Sequence, residues 1–150
     1  MSDVAEPIVN FLERFQNAWD SADARAFASL FADDATYVTW LGEPLFGRER
    51  IKNFHKEVFA SSVPPGMKMD VKAISVKHIG PDFCCMVTSG GLGMNDPVAH
   101  DKVQTLVLTR SDGEWRCVAF QNTLISEQAK NGRANDAPEA NGADSNWPEE

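Results

Sequence analysis

The chain has 150 residues, 43% of them hydrophobic and 24% charged, with a formal net charge of −8 at pH 7. That length suffices for one domain with a real core. The acidic balance argues against a nucleic-acid or anionic-membrane partner, and no apolar run approaches the ~18 residues that a membrane-crossing helix needs.

The opening "MSDVAEPIVN" carries acids and no basic segment, so no secretory signal is expected and the default location is cytoplasmic. In "IVNFLERFQNAW" the apolar residues Ile8, Phe11, Leu12, Phe15, Ala18 and Trp19 recur at steps of three and four, one face of a helix. Pro7 suits its first turn. Asp23 is an N-cap candidate for a second helix, Ala24 to Phe31, with Phe27, Leu30 and Phe31 facing inward. Asp33 and Asp34 are adjacent acids, which favour the turn at a helix end over a catalytic pair. "ATYVTW" reads as a strand, "LGEP" as a turn, and Leu45–Phe46 as a short return strand. Tyr37, the only tyrosine, shares a strand face with Ala35 and Thr39.

"GRERIKNFHKEVFA" places Ile51, Phe54, His55, Val58 and Phe59 on one helical stripe, and "SSVPPG" ends that helix. Four strands follow: "MDVKAISVKHI", "FCCMVTSGGLGM", "HDKVQTLVLTR" and "EWRCVAFQNTLI". Their separators "GPD", "NDPVA" and "SDG" suit antiparallel hairpins. Gly90, Gly91 and Gly93 suggest a bulge or sharp bend. Cys84, Cys85 and Cys117 make an odd set without a metal or disulfide spacing, and are read as buried small hydrophobes. His78 and His100 lie near strand ends and are expected to be solvated. From Glu127 to Glu150 the chain holds no Leu, Ile, Val or Phe, and six acids face only Lys130 and Arg133. This acidic tail (127–150) is expected to be disordered or loosely docked, with Trp147 as its one large apolar anchor. Helices grouped before an antiparallel sheet predict an α+β domain over residues 1–126.

The segments "AWDSADARAFASLFADDATYV", "GRERIKNFH" and "DGEWRCVAFQNTLI" resemble the nuclear transport factor 2-like superfamily, in particular its SnoaL-like members and, nearest, the SgcJ/EcaC family. The resemblance covers roughly Glu6 to Ser126. It implies a cone-shaped fold, with three N-terminal helices packed on a curved, mainly antiparallel sheet around a pocket. It also implies a homodimer formed through the sheet. In the ketosteroid isomerases of this superfamily a catalytic aspartate follows "FADDAT" by a few strand positions. Aligned without gaps, that position is Thr39, and the oxyanion-hole tyrosine falls on Phe15. Neither side chain can perform those roles.

The remaining candidates point to a pocket for a small hydrophobic molecule. His55 can act as acid, base or donor if the pocket reaches it, and otherwise is a satisfied structural histidine. Tyr37 can offer its phenol to a ligand or hold a core hydrogen bond. Phe15, Trp19, Thr39, Phe59 and Phe120 are the wall candidates. Gln121 and Asn122 point to opposite faces, and one of them lines the pocket or a dimer face. No pattern of the HxH, HExxH, CxxC or GxSxG kind and no dinucleotide fingerprint occurs, so no metal and no cofactor are expected. Three functions stay open: a pocket protein with cofactor-independent acid–base chemistry, a non-catalytic dimeric binding or accessory module, and a filled cone with a partner-binding sheet face.

Overall fold

The computed structural model describes residues 6–61 and 63–135. Helix α1 spans Glu6–Asp20 and buries the six residues of the predicted stripe. Asp23 then caps α2, its carboxylate accepting from the Ala26 N–H at 3.0 Å. This helix is only Ala24–Ala28, shorter than expected, because Phe31 already belongs to strand β1, Phe31–Val38. The Leu30 carbonyl accepts from Cys117 N at 2.8 Å, and Phe31 pairs with Cys117, so sheet pairing overrides local helix preference there. Asp33 and Asp34 therefore stand exposed on a strand and do not end a helix. Asp33 takes Arg48 Nη1 at 2.8 Å, a surface pair worth at most about 1 kcal/mol.

Strand β2, Pro44–Phe46, returns against β1 and leads into α3, Arg48–Ser61. Strands β3 (Lys68–His78), β4 (Phe83–Gly93), β5 (Lys102–Ser111) and β6 (Glu114–Leu124) form the expected meander. The six-stranded sheet runs β2-β1-β6-β5-β4-β3. All neighbours are antiparallel except β1 and β6. Asp112 and Gly113 both have positive φ between β5 and β6, the tight-hairpin geometry that "SDG" announces.

The sheet curves around the helices, and its register shifts lie at Phe31/Thr36, Ala73/Ser75 and Val107/Leu108. The bulge expected at the β4 glycines is thus on β3 instead, and β4 pairs continuously through them. Gly91 answers a different need: a Cβ there would collide with the Ala99 carbonyl oxygen of the β4–β5 loop. Helix α1 closes the cone by covering the free β3 edge. Gln16 Oε1 accepts from Val71 N at 2.6 Å and Asp20 Oδ1 from Met69 N at 2.9 Å.

The acidic tail begins with helix α4, Glu127–Asn135. Ser126 caps it, its Oγ accepting from Ala129 N at 3.1 Å. Its residues through Gly132 are exposed. Trp147 lies outside the described residues. Among the described residues no helix is long and apolar enough to cross a membrane.

Candidate functional site

A cavity of about 240 Å³ lies between α1, α3 and the inner face of the sheet. Its floor is aromatic. Tyr37 and Phe120, partners across β1 and β6, stack at 4.4 Å between ring centroids. Phe15 of α1 meets Phe120 at 5.9 Å, and Trp19 closes the adjoining side. Helix α3 adds Phe54, His55 and Val58 to the wall.

His55 is 1% exposed, and both ring nitrogens are engaged. Nδ1 lies 2.8 Å from the Ile51 carbonyl oxygen and Nε2 lies 3.2 Å from the Tyr37 hydroxyl. A carbonyl can only accept, so Nδ1 carries the proton and Nε2 accepts from the Tyr37 O–H. Burial lowers the His55 pKa to about 4 against a smaller opposing effect of the Ile51 carbonyl, so the ring is neutral at pH 7. Burial, with the Cys117 sulfur beside it, pushes the Tyr37 phenol up, so it keeps its proton as well.

Above this floor the cavity wall turns polar. Thr88, Gln104 and Asn122 stand in register across β4, β5 and β6. Thr88 Oγ1 donates to Gln104 Oε1 at 2.6 Å, and Gln104 Nε2 donates to Asn122 Oδ1 at 2.9 Å. One strand position pair further out, Lys102 faces Leu124 and reaches the rim.

Of the residues singled out in the sequence, Phe15, Trp19, Tyr37, His55, Phe120 and Asn122 come together around this cavity. Three do not. Thr39 is buried with its Oγ1 accepting from Leu41 N and Glu43 N at 3.2 Å each, so its hydroxyl builds the β1–β2 turn. Phe59 packs on Trp19 at 4.8 Å and borders a separate surface hollow. Gln121 points to the outer face and is exposed, which assigns the inner position to Asn122. Lys102 and Gln104 were missed. Strand alternation from Leu106 and Leu108 would have placed both on the inner face.

His100 is not solvated as expected. Its Nδ1 lies 2.7 Å from Ser89 Oγ and its Nε2 2.6 Å from Asp70 Oδ2, which pins the β4–β5 loop to the outer side of β3 and β4. His78 is exposed. Cys84 and Cys117 are buried, whereas Cys85 is only half-buried on the opposite face. Burial pushes the Cys117 thiol up to about 12. Among the described residues no three His, Cys, Asp or Glu side chains gather as metal ligands.

The family model described as a SnoaL-like domain matches residues 8–122. No curated protein matches the chain. Several solved structures share its fold. A domain of unknown function with a cystatin-like fold from Nostoc punctiforme has a TM-score of 0.71 at 21% identity, over 85% of this chain and 82% of that one. A putative aromatic ring hydroxylase from Novosphingobium aromaticivorans gives 0.66 at 18%, over 80% and 87%. A ketosteroid isomerase-like protein from Erwinia carotovora atroseptica gives 0.63 at 16%, over 80% and 95%. At these identities the likeness shows the fold alone. The match reaches the SnoaL-like level and not the narrower SgcJ/EcaC one.

Proposed function

The chain belongs to the SnoaL-like domain family of the nuclear transport factor 2-like superfamily, and from that premise we propose that it binds a small hydrophobic molecule in the cone. The cavity carries this reading: it is lined mainly by aromatic and aliphatic side chains, with a few convergent polar groups at one side. The neighbours named for a ketosteroid and for an aromatic ring agree with a ring-bearing ligand. Acid–base catalysis by His55 is the weaker reading. At neutral pH its ring is uncharged, its N–H is given to Ile51, and its lone pair is taken by Tyr37. What the pair offers a ligand is the Tyr37 oxygen, an acceptor whose own proton is already directed at His55.

A thermal-shift panel of aromatic and alicyclic compounds tests the binding reading. A ligand present at about 100 times its Kd adds about 2.7 kcal/mol to stability. The cavity-filling change Val58→Phe should abolish that shift. A panel with no stabilising compound, or equal shifts in both proteins, would reject it.

A second copy of this chain is the partner this reading favours. On the outer sheet face Cys85, Val107 and Ala119 lie side by side across β4, β5 and β6, with Val87 in the next row opposite Thr105 and Val103 one row further, between Ser89 and Thr123. All five are half-buried, apolar groups on a face of mixed polarity that a two-fold mate would cover. Light scattering should give a dimer mass for the wild type and a monomer mass for Val107→Glu. A monomeric wild type would exclude the dimer.

A further inference from the structure

Lys102 is the only charged side chain lining the cavity among the described residues, since His55 is neutral there. Its side chain is 16% exposed, and its Nζ gives one hydrogen bond to Asp101 Oδ1 at 2.9 Å, whose own side chain is 43% exposed. An ammonium has three donors, so two remain after Asp101. Packing does not explain the choice of residue. An apolar side chain would line an apolar cavity without the desolvation cost of a cation.

The neighbouring amides have the same polarity. Along the Thr88–Gln104–Asn122 chain the oxygen of each amide already accepts one hydrogen bond. At the end of this chain Asn122 Nδ2, a donor, has no protein partner among the described residues, and the buried Trp19 Nε1, also a donor, has none either. The polar side of the cavity thus presents N–H groups, one of them cationic. The register sets the spacing: Phe120 faces Leu106, Asn122 faces Gln104, and Leu124 faces Lys102. Each step is two strand residues, about 7 Å. The stacked Tyr37–Phe120 floor and the Lys102 rim are therefore roughly 13 Å apart along the strands.

From these observations we infer that the ligand is an arylalkyl carboxylate, its ring against the Tyr37–Phe120 floor and its carboxylate at Lys102 and Asn122. The inference rests on the pocket reading above and names the class of molecule for the same site. The ring supplies burial, and the carboxylate supplies charge-assisted hydrogen bonds, which are stronger than neutral ones. Asp101 engages one of the three Lys102 donors, and its side chain, at 43% exposed against 16% for Lys102, is the better solvated of the two.

Three isosteres test it: 4-phenylbutyrate, 4-phenylbutanol and 4-phenylbutylamine, titrated while following tryptophan fluorescence, since Trp19 and Trp40 both line the cavity. The carboxylate should bind at least about tenfold more tightly than the alcohol, and the amine weakest. Lys102→Met keeps the unbranched stem and should lose about that tenfold for the carboxylate, with the alcohol little changed. Lys102→Arg should retain carboxylate binding, which separates charge from fold damage. Equal affinity for acid and alcohol, unaltered by Lys102→Met, would overturn the anion assignment and leave the pocket standing. Tighter binding of the amine would also overturn it. Binding of none of the three, in a protein whose fluorescence and melting are otherwise unchanged, would overturn the assignment, and the pocket reading would then be decided by the thermal-shift panel.

Discussion

Phe27→Ala should cost the folded chain about 3–5 kcal/mol, the largest loss expected from any single truncation in this protein. Phe27 is fully buried at the meeting point of α2, α1, α3 and β1. Its ring centroid lies 4.4 Å from that of His55, 5.0 Å from Phe15 and 5.4 Å from Phe31. Trp19 and Tyr37 meet its edge at 6.3 and 6.5 Å. Truncation removes the transfer energy of a whole ring and opens a void among side chains that are themselves ring-locked and relax poorly. Domains of this size are stable by about 5–15 kcal/mol, so the loss is a large fraction of the total. Urea midpoints give the number. Phe46→Ala is the matched control, because Phe46 is 69% exposed on β2 and its loss should stay within about 0.5 kcal/mol. A Phe27→Ala loss below about 1 kcal/mol would show that the aromatic cluster repacks freely. Because Tyr37 and His55 rest on this ring, the variant should also weaken any cavity ligand.

The α1 stripe, the Asp23 cap, the four-strand meander and the "SDG" hairpin were legible because each is a local signal: a helical period, a capping side chain, a strand alternation, a turn dipeptide. The errors share a different cause. Phe31 looks helical from its neighbours but is claimed by Cys117, far along the chain. Thr39 lies on the face with Tyr37, as alternation requires, yet its hydroxyl serves the turn two and four residues on. The β4 glycines looked like a bulge, whereas Gly91 is needed for the close approach of the Ala99 carbonyl and Gly90 for that of Asp70. His100 looked solvated until Ser89 and Asp70 were brought beside it by hairpin pairing. The cavity was legible as aromatic, from Phe15, Trp19, Tyr37 and Phe120. Its polar side was half-legible, because Asn122 had a mate in Gln104 that only the β5–β6 register identifies.

Acidification should destabilise the wild type more steeply than a Tyr37→Phe/His55→Leu variant, by a total on the order of 3 kcal/mol between pH 6.5 and pH 4. The His55 pKa is about 4 in the folded chain, against an ordinary value of 6.5. Between those values the unfolded chain holds a proton that the folded chain refuses, so stability rises with pH across the window. The contribution is fully present above pH 6.5 and is lost as the pH falls toward 4. Below that the folded ring also protonates and this group adds no further loss. Carboxylates, His78 and His100 are common to both proteins and cancel in the difference. The double change is chosen because it removes donor and acceptor together. Tyr37→Phe alone leaves the His55 Nε2 lone pair unmatched, and His55→Leu alone leaves the Tyr37 hydroxyl unmatched, each costing about 1–3 kcal/mol. The paired variant should cost less than the two single changes combined. Urea midpoints at pH 7, 6, 5 and 4.5 decide the matter. Stability curves that stay parallel from pH 7 to 4.5 would mean that His55 protonates freely in the folded chain. It would then be open to solvent or ligand, and the acid–base reading set aside above would regain its base.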